Sequence, residues 1–520
     1  MVIEKIQRSK LLLFDILLAL GLAGYALIAN LPRFLGHDYN WDLLNYHLSN
    51  VTLHQDLALH AAGVQTYFPS TLDVLTFPVH TSLSAPLTGL IMLIPFLLNF
   101  LIIRVIFIKK LLDEAIYLPN TLVAVSLMSS TAISQINNSM GDLILSPLVL
   151  LGIGLFALGI KQRNSRMIVL TAIPFGIALG LKTTYVYVLI SIFIIFIYFI
   201  CIKSVKILTV IQWSAIITFI YFILSIQHLF ALYRATGNPV FPFANAIFKS
   251  RSYPEVNFRD NRFGLRSISD FLLTPYRLAK DGQARTSELV FTDYRLLIML
   301  LAVVLIALLI FTKASQRKMF QQNPIILLGV IVLTCYFIWG YLFGISRYFL
   351  VVDLLIPLFA CAAFSLINTA SAHHKTFGTT FIVVLTILLS VTTSAVNWGF
   401  DGTKRTGVAF EKSIYPLTLD TNSAILLADQ PLAFISYQVR TSANVIYLSP
   451  AFNPYNFEEQ LKLIGKRTVY SASYNSDPDF IDSKLKSYGV RSNGDCQIVH
   501  LDFDNKLTPT TVYFCGTKSL

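Results

Sequence analysis

Charge is what this sequence has least of. Asp, Glu, Lys and Arg supply 13% of its 520 residues, about half the share in an average soluble domain. Residues of the AVILMFWYC set supply 55%, and mean hydropathy is +0.64. A water-soluble fold of that composition has too little polar surface to cover its apolar surplus, so a bilayer is the solvent that fits. Cysteine is scarce as well, with five in the whole chain, which excludes a disulfide-dense secreted scaffold. The sequence lacks a Walker A loop, a dinucleotide-binding glycine fingerprint and zinc-ligand spacing, so it offers no built nucleotide or structural-zinc site. It also lacks the internal repeat common in secondary transporters. Acidic residues are few against basic ones, for a net charge of +12. Many of the basic residues lie in short connections between apolar runs, where they signal topology rather than nucleic-acid binding.

Those apolar runs fall near residues 11–31, 86–108, 115–133, 143–160, 167–181, 185–202, 207–230, 296–312, 324–343, 349–368 and 377–397. At roughly 20 residues per crossing, they predict about eleven transmembrane helices. The first run has no small-residue cleavage site after it and reads as an anchor rather than a removed signal. Alternate connections are basic: Lys5, Arg8 and Lys10, then Lys109 and Lys110, Lys161 with Arg163 and Arg166, Lys203 with Lys206, Lys313 with Arg317 and Lys318, and Lys375 beside His373 and His374. Because basic loops stay in the cytoplasm, the N-terminus is expected inside and the C-terminus outside. The expected architecture is an all-α polytopic membrane bundle over 1–397, in a bacterial inner membrane, with outer loops at 32–85 and 231–295. Residues 398–520 change character. The short apolar runs SAILLA, NVIYLS, RTVYSAS, CQIVHLDF and TTVYFCG alternate with helical patterns, which predicts a small extracytoplasmic α/β domain. Cys496 and Cys515 mark the last two strands, as either a disulfide or two small residues.

The unusual polar residues cluster on the outer side. From Asn40, a plausible N-cap, Trp41, Leu44, Leu48 and Val51 recur at helical spacing and predict a helix along the membrane surface, its stripe towards lipid or core. Asp42, Tyr46 and Ser49 share a neighbouring polar face. Asp142, Lys182, Arg347 and Asp353 stand at outer ends of apolar runs, where an ionisable group is costly unless it is paired or functional. Structural Arg347–Asp353 and Lys182–Asp142 pairs are one reading. The other is a site in which Lys182 and Arg347 hold a lipid-linked phosphate and a loop carboxylate takes a proton from an attacking hydroxyl.

The segment Asp42-Leu-Leu-Asn-Tyr46-His47 resembles the Asp-x-x-x-Tyr-His signature in the first periplasmic loop of GT-C glycosyltransferases, closest to the bacterial protein-mannosyltransferase-like and aminoarabinose-transferase-like branch. The stretch from Gly237 to Ser250 and the Ser346-Arg347-Tyr348 turn also resemble bacterial members. The resemblance covers about residues 1–400. It implies a transferase that uses a polyprenyl-phosphate-linked sugar, with Asp42 as general base and Asp38 in reserve. The placement of the charges, rather than the resemblance, puts Lys182 and Arg347 at the donor phosphate, and Tyr46, His47 and Asp142 are read as substrate-binding. Where the branch often has an Asp-Glu pair, this chain has Asp42 followed by Leu43. The acceptor, whether glycan, lipid or protein, is left open. So is any metal, since carboxylates suit Mg²⁺ or Mn²⁺ but no ligand cluster is legible. A flippase or transporter of lipid-linked glycans and a glycan polymerase or ligase are the alternatives. Trp398-Gly-Phe-Asp-Gly402 only superficially echoes an oligosaccharyltransferase motif.

Overall fold

The computed structural model describes residues 2–52, 61–112, 118–250, 254–282, 286, 288–312, 323–366, 374–401, 419–420, 422–438, 444–450, 457–501 and 509–520. The basic connection at Lys313, Arg317 and Lys318, together with His373 and Gly402, lies outside them. Among the described residues, seven helices are long and apolar enough to cross a membrane: Ser9–Ala26, Ala85–Leu112, Asp142–Lys161, Thr183–Cys201, Ile207–Thr236, Pro324–Leu342 and Ser346–Ser365. Ser165–Leu181, Arg295–Ile310 and Phe377–Thr392 are apolar but shorter. Their outward faces stay greasy, with Phe219 66% and Ile223 60% exposed on the helix Ile207–Thr236. Such a surface is stable against lipid and not against water.

One expected crossing is not a continuous helix. The run near 115–133 becomes a helix over Pro119–Leu127, a break at Met128–Ser129, and a short turn of helix over Ser130–Ser134. A nine-residue helix buried in a bundle leaves its end groups without partners, and charged side chains of other helices supply them. At its start, Asp15 accepts hydrogen bonds from the backbone N–H of Asn120 (3.1 Å) and Thr121 (2.8 Å). At its end, Arg295 donates to the carbonyls of Val125 (2.8 Å) and Met128 (2.7 Å). Each charge has the sign that the helix dipole favours at that end.

Residues 422–519 build a five-stranded sheet of β3 (Asn422–Leu427), β4 (Asn444–Leu448), β5 (Thr468–Ser473), β6 (Val490–His500) and β7 (Thr511–Ser519), in the order β4-β3-β5-β7-β6. β4, β3 and β5 are parallel, whereas β7 and β6 are antiparallel additions. Alternation along β3 decides the layers. Ala424 and Leu426 face the helices Phe457–Ile464 and Pro478–Leu485, in a core with Ile464, Ile481 and Leu485. Ile425 and Leu427 face the other way, into a core completed by Tyr39, Leu43, Leu44 and Leu48. Leu44 and Leu48 of the amphipathic stripe therefore face a core, that of the C-terminal sheet, while Trp41 stays exposed. This stretch of the first loop is one layer of the C-terminal domain. Phe434 N–H donates to Leu44 O at 2.8 Å, and a two-residue ladder of β1 (His37–Asp38) with β2 (Phe400–Asp401) clamps the junction. That ladder leaves no room for a side chain at Gly36, where a Cβ would lie 2.1 Å from Asp401 O.

Cys496 and Cys515 are directly opposite in the β6–β7 register and form a disulfide. It closes a 19-residue separation, for which chain-entropy arguments give about 3 kcal/mol. Cys515→Ser in the full-length protein in detergent should therefore lower the urea midpoint for loss of the domain's protease resistance. A variant as resistant as wild type would mean that the disulfide adds no stability.

Candidate functional site

The site grows from the loop that the C-terminal domain seats. After β1, Asn40 accepts from Leu43 N–H at 3.0 Å, as an N-cap does, and the chain turns helical through Thr52 with its middle turn, Leu43–His47, widened. Leu44 and Leu48 are then committed to the C-terminal domain, and Asp42 points the opposite way, into the end of the helix bundle. There Arg347 Nη1 donates to Asp42 Oδ2 at 2.6 Å, and both side chains are nearly enclosed.

Arg347 is shared. Its Nε lies 2.9 Å from Glu288 Oε2, so one guanidinium bridges two carboxylates. Next to it, Lys182 Nζ forms a 2.6 Å ion pair with Asp142 and also donates to Met140 O. Tyr348 joins the two pairs, with Lys182 Nζ 5.3 Å and the Arg347 guanidinium 5.1 Å from its ring centroid, within cation–π range. Tyr185 O–H fixes the Asp142 turn through its carbonyl at 2.7 Å. On the loop helix, His47 Nδ1 meets Asp73 Oδ1 at 2.6 Å. The His47 ring stacks obliquely on Tyr46 at 4.1 Å, and its Nε2 is buried without a partner among the described residues.

The electrostatics separate the two acids on Arg347. Burial alone would raise the Asp42 pKa, but Arg347, helped by His47 and Lys182, outweighs it and holds Asp42 below the usual carboxylate range. Burial dominates at Glu288 and, with the Asp42 charge adding to it against Arg347, pushes that carboxyl up to about 7. Two carboxylates that titrate apart on one cation are a common arrangement for proton transfer. His80 is kept neutral, its pKa lowered to about 3 by burial and then by His47 and His37.

Asp42, Asp142, Lys182, Arg347, Tyr46 and His47, drawn from four separate segments, thus come together. Asp38 does not join them. Its carboxylate accepts from Asn40 Nδ2 (2.6 Å) and Ser139 N–H (2.7 Å), tying β1 to the turn before Asp142, and burial against these bonds raises its pKa. Its place is that of a structural pin. The Lys182–Asp142 pair is present, whereas an Arg347–Asp353 pair is not. Asp353 instead accepts from Ser129 and Thr131 and lies 3.9 Å from Arg295 Nε.

Sequence reasoning misses Glu288, Tyr348 as a bridge, and Asp73. Asp73 follows Ser70 at the spacing of a capping box, yet Ser70 makes no side-chain cap and Asp73 turns to His47. Phe400 and Asp401 of the Trp398 motif are β2, so that segment is a clamp. Among the described residues no group of three or more His, Cys, Asp or Glu is arranged to hold a metal ion. Compared with protein-family models and with curated proteins, the chain matches none.

The raised Glu288 pKa has a sign that can be measured. The folded state binds this proton more tightly than the unfolded chain, so the contribution is fully present below the ordinary value of 4.5 and is lost as pH rises towards about 7. Glu288→Gln should therefore gain stability relative to wild type across that window in thermal unfolding at stepped pH. A pH-independent difference between the two proteins would show that Glu288 titrates normally.

Proposed function

We propose that this protein is an integral-membrane glycosyltransferase of the GT-C type, transferring a sugar from a polyprenyl-phosphate donor to an acceptor hydroxyl on the outer face of a bacterial plasma membrane. About eleven crossings, a cytoplasmic N-terminus and an extracytoplasmic C-terminal domain belong to the same proposal. The observation that carries it is the convergence of Asp42, Asp142, Lys182 and Arg347 at one end of the helix bundle, under a loop held by a folded domain. A site for a lipid phosphate and an acceptor needs cations and a carboxylate side by side at a membrane boundary. The Cys496–Cys515 disulfide favours an oxidising compartment for that end. The helix Ile268–Lys280, which exposes Ile268, Leu272 and Tyr276 along one face, suits a bilayer surface.

In this reading the acceptor oxygen attacks the anomeric carbon as the bond from that carbon to the phosphate oxygen breaks. The electron pair leaves with the polyprenyl phosphate, and the acceptor proton passes to Asp42. Lys182 and the Arg347 donors not already engaged stabilise the phosphate charge. Asp42 and Asp142 are paired with Arg347 and Lys182, so ionisation of Glu288 adds a negative charge beside the cations when the anionic donor arrives.

Asp42→Asn should lower the transfer rate about 10²-fold or more in purified protein supplied with polyprenyl-phosphate sugar, while membrane insertion is kept. Transfer at the wild-type rate would remove Asp42 from the role of base. The Glu288 charge predicts that the donor KM rises as pH passes about 7 and that Glu288→Gln flattens this rise. A wild-type KM that does not change with pH would exclude the coupling.

A second reading is a flippase or transporter of lipid-linked glycans, favoured by the broken helix at Met128–Ser129 with Arg295 at its end, since transporters use interrupted helices. Glycan-lipid movement across vesicles, with no transfer from any donor, would select it.

A further inference from the structure

The C-terminal domain carries a crevice at the place where its sheet reverses direction. From β3 the chain steps to β4 on one side and then crosses to β5 on the other. The carboxyl ends of β3 and β5 therefore diverge, and in open α/β sheets such a switch point is where ligands bind. A shallow, open depression with a volume of about 400 Å³ lies there. Its lining comes mainly from the segments that leave those strands, Asp429 and Gln430 after β3 and Tyr474, Asn475, Ser476 and Phe480 after β5, with Pro509 from the approach to β7.

The lining chemistry narrows the occupant. The turn after β3 reads Ala428-Asp429-Gln430-Pro431 and has none of the glycines that let a backbone cradle a phosphate. Among the described residues no Lys or Arg lines the cavity, and Lys484 is engaged over the Phe480 ring at 5.4 Å. Among the described lining residues, the charged group that a nucleotide or free phosphate would meet is the Asp429 carboxylate. What the walls do offer is aromatic surface beside acceptors and amides. Asp429 Oδ2 accepts from Ser473 Oγ (2.6 Å) and Tyr474 N–H (2.8 Å), so the carboxylate is held rigid, with no bond to Oδ1 among the described contacts. Tyr474 O–H donates to Pro431 O at 2.6 Å, which fixes its ring as a wall. A fixed carboxylate, side-chain amides and aromatic rings suit a neutral, hydroxyl-rich ring that is apolar on its faces and polar at its edge.

We propose that this crevice is a saccharide-binding site. The saccharide class stands on the lining alone, while its assignment as the acceptor glycan rests on the transferase reading. The chain from the crevice leads to the other site: five residues beyond Asp429, Phe434 N–H bonds Leu44 O at 2.8 Å, two positions from Asp42. Tyr474 packs against the same core as Leu44. A glycan held in the crevice is thus anchored on the structure that carries Asp42.

The test is saturation-transfer NMR on the full-length protein in detergent, with methyl α-D-mannopyranoside, chitotetraose, maltotetraose and inorganic phosphate as separate probes. At least one saccharide should bind saturably and phosphate should not. Phe480→Ala, and Ser476→Trp, which fills the crevice from an exposed position, should each weaken that binding about tenfold or more. Asp42→Asn should leave it unchanged. Binding by none of the three sugars overturns the proposal, as does binding that survives both crevice variants or is displaced by phosphate. A protein that binds sugar but transfers none from any donor leaves the crevice standing and removes the transferase reading. Transfer without sugar binding does the reverse.

Discussion

The buried ion pair between Asp42 and Arg347 is the contact on which the arrangement depends. The partners lie 305 positions apart, one on a loop and one at the end of a membrane helix. An enclosed charge is costly unless its partner is held in good geometry, and losing one member of such a pair costs about 3–5 kcal/mol. A free loop would not keep Asp42 there. Leu44 and Leu48 do so by filling one face of the C-terminal sheet, and the β1–β2 ladder locks the entry to the loop. The C-terminal domain is therefore part of the site's scaffold, because its core includes Leu43, Leu44 and Leu48 of the loop.

The same economy of charge appears inside the bundle. Asp15 and Arg295 terminate the short helix Pro119–Leu127 from opposite ends. Asp353, one turn into its own helix, is satisfied by hydroxyls of the broken segment. Each buried charge is thus matched by a dipole, a hydroxyl or an opposite charge, as a medium without water requires. Glu288 is matched less completely, because Arg347 is shared with Asp42, as Arg295 is shared between Asp293 and Asp353. Burial, with the Asp42 charge adding to it against Arg347, raises the Glu288 pKa to about 7, so this group titrates near neutral pH.

Much of the fold is legible from hydropathy alone. A run of about 20 apolar residues has few options in a bilayer, so helices fall on the predicted segments, and strand-length runs in the last hundred residues fall on β3 to β7. The broken helix is not legible, since Met128 and Ser129 carry no strong breaking signal and the break is stabilised by Arg295, far away in sequence. Asp42, Lys182, Asp142 and Arg347 are visible as ionisable residues in apolar surroundings. Glu288 is one of several charges in a polar loop, and nothing local marks it.

By itself the sequence determined the membrane class, the helix segments, the α/β character of the C-terminal domain and the short set of charges worth watching, because composition and periodicity act locally. Only the tertiary structure decided the partners. It paired Arg347 with Asp42 and Glu288 instead of Asp353, gave Asp38 to Ser139, turned Asp73 to His47 and laid the loop's apolar stripe on the C-terminal sheet. Those choices depend on which distant segments share the end of one bundle, and burial makes each of them nearly all-or-none.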